Sequence, residues 1–91
     1  MINSAQCRAA RALIGWTMPQ LAAAAGVSVG TINNFELGRR APIAANMTVI
    51  RTALESAGVV FIAENGGGPG VRLRKDATAV AEHSLGNGEV E

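Results

Sequence analysis

Thr17-Met-Pro-Gln-Leu-Ala-Ala-Ala-Ala-Gly26-Val-Ser28-Val-Gly-Thr-Ile-Asn-Asn-Phe-Glu-Leu-Gly38 reads as two short helices joined by a tight turn. Thr17 is placed to cap the first helix, Pro19 is tolerated in its first turn, and Gln20, three residues after the cap, completes a capping box. Gly26 ends that helix, because glycine takes the left-handed backbone of a sharp exit without a Cβ clash. Val27 then plugs the angle between the helices. Ser28 caps the second helix, which should run to about Glu36 and stop at Gly38. Leu21, Ala22, Val27, Ile32 and Phe35 face inward, and the small Ala22 lets the two helices cross closely.

Before this stretch, the spacing predicts a helix over Ser4 to Ile14, with Asn3 and Gln6 as its capping box, Cys7, Ala10, Leu13 and Ile14 on its apolar stripe, and Gly15 as its stop. Trp16 is expected to cover the joint between helices as a core residue, and Cys7 to be a buried small hydrophobe rather than a nucleophile. After it, the turn Arg39-Arg40-Ala-Pro-Ile leads into a helix from about Ala44 to Ala57, with Met47, Ile50, Ala53, Leu54 and Ala57 on one face and Gly58 at its end. From Val59 the period changes. Val59 to Glu64 is β-branched and aromatic, Asn65 to Gly70 is turn-rich, and Val71 to Lys75 alternates apolar and basic, the pattern of a β-hairpin. A two-stranded hairpin is marginal in water, so its apolar face must pack on the helices or on a second copy at a dimer interface.

Alanine supplies much of the 48% hydrophobic content, so the large side chains Leu13, Ile14, Trp16, Leu21, Ile32, Phe35, Ile50 and Leu54 must provide most of the burial of a single small core. The net charge of +1 hides a split: residues 1–75 carry all eight Lys and Arg against three acids, and residues 76–91 carry four acids and no Lys or Arg. The expected organisation is a helical domain over 1–58, the hairpin over 59–75 and a disordered acidic tail over 76–91, with a short helix around Ala77 to His83 the one element the tail could hold. The single cysteine excludes an internal disulfide, and with no signal peptide or long apolar run a soluble cytoplasmic protein with no membrane segment is expected.

The order Trp16-Thr, Gln20-Leu-Ala, Gly26-Val-Ser, Ile32-Asn-Asn-Phe-Glu and Gly38-Arg-Arg, between one helix and another, resembles the lambda-repressor-like, Xre-type helix-turn-helix family of transcriptional regulators over residues 4–58. The hairpin resembles an appendage of one small bacterial branch of it. The resemblance implies a mainly α fold, a bundle of about four helices followed by a small β-hairpin. It also implies a structural ion pair between Arg11, late in the first helix, and Glu36, at the end of the recognition helix. In DNA-binding members the recognition helix enters the major groove, which would make Ser28, Val29, Gly30, Thr31, Asn33 and Asn34 the groove-facing set. Gln20 would join them from the second helix. Asn33 and Asn34 would bond adenine edges, Val29 would touch a thymine methyl, and Arg39 and Arg40, with Arg8 or Arg51 in support, would grip phosphates.

Two departures keep a second partner class open. DNA-binding relatives carry Gln where this chain has Met18, and no Lys or Arg stands between Arg11 and Arg39, so the recognition face presents Met18, Val29, Gly30 and Leu37. Double-stranded operator DNA bound by a repressor, with a homodimer as one arrangement, is the first reading. A protein-binding antiactivator that sequesters a transcription activator through this apolar, uncharged face is the second. No cofactor is expected. His83 is read as a solvated tail residue, and one His, one Cys and no acid pair on a rigid face leave acid–base, nucleophilic and metal chemistry without a constellation, so no enzyme is expected. The Gly66-Gly-Gly-Pro-Gly run is followed by no Lys-Ser/Thr and is no phosphate loop.

Overall fold

A computed structural model describes residues 1–75. Four helices are followed by two strands: α1 Ser4–Ile14, α2 Met18–Ala25, α3 Val29–Glu36, α4 Ala44–Ser56, β1 Val59–Ile62 and β2 Gly70–Leu73. The mainly α bundle with a small hairpin is the fold the sequence predicted. The expected tail, 76–91, and its helix around Ala77 to His83 lie outside the described residues.

Capping chemistry sets the first three helix starts. The Gln6 amide donates to Asn3 Oδ1 at 2.7 Å while the Asn3 amide donates to Gln6 Oε1 at 2.9 Å, and Thr17 and Gln20 repeat the reciprocal pair at 3.2 and 2.8 Å. Ser28 Oγ accepts from the Thr31 amide at 3.1 Å. The α2–α3 turn is made by Gly26 at φ +74°, the left-handed conformation reserved in practice for glycine. α4 starts differently: Ile43 holds the cap position with no side-chain bond, so packing rather than capping determines where it begins.

α2 packs on α3 and α4, α1 packs on α3, and the core collects Cys7, Ala10, Leu21, Ile32, Phe35, Met47, Ile50, Leu54 and Val59. One expectation about packing is corrected. Leu13 is 41% exposed, because it lies about 90° round the helix from the centre of the stripe formed by Cys7, Ala10 and Ile14. Trp16 is half-buried, packed against the core from its edge, and forms one wall of a shallow groove with Ala24, Ala25, Val49 and Ala53. Val27 and Ala57 are likewise half-buried.

The hairpin is antiparallel with Val59 opposite Leu73 and Phe61 opposite Val71, so these four share one face, and that face packs on α1 and α4 of the same chain. Gln6 fastens it. Having capped α1 with its amide oxygen, the same side chain turns its Nε2 to the Ile62 and Gly70 carbonyls at 3.3 and 3.1 Å, bonding both strands where they pair. At the other end the Arg74 amide donates to the Gly58 carbonyl at 2.7 Å, and Arg74 Nη1 reaches the Glu55 carbonyl in the last turn of α4 at 2.8 Å. Arg51 pairs with Glu55 at 3.0 Å and lies 5.5 Å from the Phe61 ring centroid, a cation–π contact that ties α4 to β1.

Candidate nucleic-acid interface

α3 has a fastened inner end and a bare outer face. At the inner end Glu36 is 1% exposed, and its carboxylate is held by Arg11 from α1 in a two-pronged pair, Nε to Oε2 and Nη2 to Oε1, both 2.7 Å. Arg11 also donates from Nη1 to the Trp16 carbonyl at 2.9 Å, so one guanidinium joins α1, the approach to α2 and the end of α3. Cys7 adds a third donor, its Sγ 3.2 Å from Glu36 Oε2, and Arg8 donates to the Glu36 main-chain carbonyl. Three residues of one α1 stretch therefore converge on the last residue of α3.

The surroundings push the Cys7 thiol up to about 12, first through burial and then through its hydrogen bond to Glu36 and that group's negative charge, with Arg11 and Arg8 opposing. Hydrogen bonding to Glu36 raises the Arg11 guanidinium further above its already high value, against burial. The thiol stays protonated and donating, which suits a buried brace and not a nucleophile.

On the outer face, Val29 is 44% and Leu37 54% exposed, Gly30 is open, and Asn33 and Asn34 are half-buried. Beside it a groove of about 330 Å³ runs between α3 and the following turn, lined by Ser28, Thr31, Asn34, Arg40, Pro42 and Ile43. Arg39 and Arg40 are exposed where the chain leaves the end of α3, their amides bonded back to the Asn34 carbonyl at 2.9 and 3.3 Å. Neither faces a carboxylate among the described residues, whose acids are committed elsewhere: Glu36 to Arg11, Glu55 to Arg51, and Glu64 to the Gly66 and Gly68 amides of the hairpin tip.

Ser28, Gly30, Thr31, Asn34 and Arg40 thus line one groove, while Val29, Leu37 and Arg39 are exposed and Asn33 is half-buried on the same helix and its exit. Other expected members are engaged elsewhere. Met18 is half-buried and packed on the core, the Gln20 amide oxygen is taken by the Thr17 cap, and the Ser28 hydroxyl is shared with the Thr31 amide and hydroxyl. Arg8 and Arg51, expected to support phosphate binding, serve the Glu36 carbonyl and Glu55 with Phe61. Sequence reading missed the Cys7–Glu36 bond and the second task of Gln6, because both partners lie more than 25 residues away and no local pattern marks them.

A family profile described as Helix-turn-helix matches residues 8–54, which covers most of α1, all of α2 and α3, and most of α4. The chain belongs to the helix-turn-helix family. The match is of the Xre, lambda-repressor-like type, and the general role of that family is DNA-binding regulation of transcription. No curated protein matches the chain. Among the described residues no helix is long and apolar enough to cross a membrane.

Proposed function

We propose that this helix-turn-helix protein is a repressor-type regulator that lays α3 in the major groove of operator DNA. The observation that carries this reading is the exposed Arg39-Arg40 pair, uncommitted among the described residues, at the end of a helix whose outer face carries two asparagines. Arg39 and Arg40 contact phosphates. Asn33 and Asn34 supply the amide groups that pair with adenine edges, Val29 meets a thymine methyl, and Ser28, Gly30 and Thr31 let the helix start approach the DNA closely. Residues 1–58 form the reading unit and 59–75 its buttress. Two copies related by a two-fold axis would read half-sites about 34 Å apart, one turn of duplex. The test is affinity for the protein's own upstream DNA over a salt series. A log–log slope of about −2 to −4 is expected from two to four phosphate contacts, and absence of binding at about 50 mM salt overturns the reading.

A second reading, an antiactivator that binds a transcription activator in the cytoplasm, is favoured by a separate observation: both ends of the outer α3 face are exposed aliphatic side chains, Val29 and Leu37, with no cation on the helix between them. Leu37→Ala separates the two. Under the DNA reading it leaves operator binding unchanged within about 0.5 kcal/mol, because the phosphate and base contacts remain. Under the protein reading it weakens the activator complex by about 1–2 kcal/mol, through lost apolar area.

A further inference from the structure

A cavity of about 420 Å³ opens where the start of α1, the middle of α4 and the hairpin tip meet, and no residue of α3 lines it. Ile2, Phe61 and Pro69 give it apolar walls, while Arg51 and Glu64 bring one charge of each sign. From this arrangement we propose that the cavity binds a small zwitterion with an apolar side chain, an amino acid of the leucine or phenylalanine kind. Arg51 takes its carboxylate and Glu64 its ammonium group. The site is independent of what binds α3.

Both charged groups are positioned by the fold and keep free atoms. Arg51 lies 5.5 Å from the Phe61 ring centroid and donates from Nε to Glu55 Oε2 at 3.0 Å, so its two Nη groups have no partner among the described residues. Together they can take a planar carboxylate in two parallel bonds. Glu55 competes weakly, because both side chains of that pair are exposed and such pairs contribute little. Glu64 Oε2 accepts from the Gly66 and Gly68 amides at 2.9 and 3.2 Å, which holds the carboxylate at the hairpin tip, and Oε1 accepts from no described residue. A carboxylate fixed before the ligand arrives loses less side-chain freedom on binding.

The charge pattern selects the ligand class. A carboxylate without an ammonium group meets Glu64 unbalanced, and an amine without a carboxylate meets Arg51, so the cavity favours a molecule that is neutral overall and charged at both points. The other walls select the side chain. Ile2 is buried, and Gln6 spends its amide oxygen on the Asn3 amide and its nitrogen on the Ile62 and Gly70 carbonyls, so neither offers a free polar group. Apolar surface remains for the ligand, in a volume within the roughly 300–1,000 Å³ of ordinary small-molecule sites. An occupant would join α1, α4 and the hairpin, which Gln6 and Arg51 join only in pairs.

The experiment adds leucine, methionine and phenylalanine in turn, each at about 10 mM, to the full chain. At least one is expected to shift the amide resonances of Ile2, Arg51, Phe61 and Glu64 saturably while leaving Ser28 to Asn34 in place, and to raise Tm by about 5 °C. The carboxamide and N-acetyl forms of that compound, each lacking one charge, should bind about 10-fold more weakly. A similar loss is expected for the amino acid itself with Glu64→Gln, whose side-chain oxygen can still accept the glycine amides. Absence of saturable shifts at those residues with all three compounds overturns the proposal. A singly charged form that binds as tightly as the amino acid, or undiminished binding by Glu64→Gln, also overturns it.

Discussion

Two faces of α1 hold very different partners with equal economy. Toward α3 it presents charge, with Arg11, Arg8 and the Cys7 thiol closing on a buried carboxylate. Toward the hairpin it presents one neutral amide, Gln6, that bonds two main-chain carbonyls. A buried ion pair is costly to break because the surviving partner is left charged in a low dielectric, whereas a lost amide–carbonyl bond leaves only neutral groups. The α1–α3 joint should therefore be stiffer and less tolerant of substitution than the α1–hairpin joint, and the recognition helix is attached through the stiffer one.

The largest effect is expected at that joint. Glu36→Gln strands Arg11, which keeps 19% side-chain exposure and so some solvation, and should lower stability by about 3 kcal/mol in denaturant unfolding. A variant as stable as the parent would show that the pair contributes nothing net. At the hairpin, Gln6→Ala removes the cap partner and both carbonyl bonds and should cost about 2 kcal/mol. Amide hydrogen exchange should accelerate at residues 59–62 and 70–73 far more than at α3; uniform acceleration would mean that hairpin and helices open as one unit.

A pH dependence sharpens the same contrast. The folded Cys7 thiol titrates near 12 and the ordinary value is 9.0, so the folded state holds its proton more tightly than the unfolded chain. The associated stability is complete below pH 9 and is lost as pH rises toward 12, by about 1.4 kcal/mol per unit in that window. The chain has no tyrosine, which leaves the window unusually clear of other buried titrating groups. Thermal unfolding between pH 8.5 and 10.5 should show the decline in the parent and a flatter profile in Cys7→Ala; parallel profiles would remove the thiol from the joint's energetics. The smallest effect is expected on the outer face. Leu37→Ala, at a residue 54% exposed, should change stability by no more than about 0.5 kcal/mol, and a larger loss would mean that this face also supports the fold.

Much of the fold was legible locally. The Asn3, Thr17 and Ser28 caps and the Gly26 exit are each specified by residues within three or four positions of one another, and all appear where the pattern placed them. Leu13 was misjudged because an apolar residue at roughly helical spacing was counted without its angle round the axis. At the candidate interface, residue types and order were legible, but availability was not: Arg8 and Arg51 look as free in the sequence as Arg39 and Arg40, and only the packing of α1 on α3 and of α4 on β1 shows which cations are spent.

The sequence by itself determined the helix limits, the turn, the hairpin and the family, because caps, glycines and apolar periods act over a few residues and need no knowledge of distant partners. Tertiary structure alone decided that one α1 stretch carries the Glu36 network, that Gln6 serves both a cap and the hairpin, and that Met18 leans inward while Val29 and Leu37 stay out. Those outcomes depend on which surfaces meet across gaps of 25 residues or more, and on burial, which converts a modest surface attraction between a carboxylate and its donors into the brace of the recognition helix.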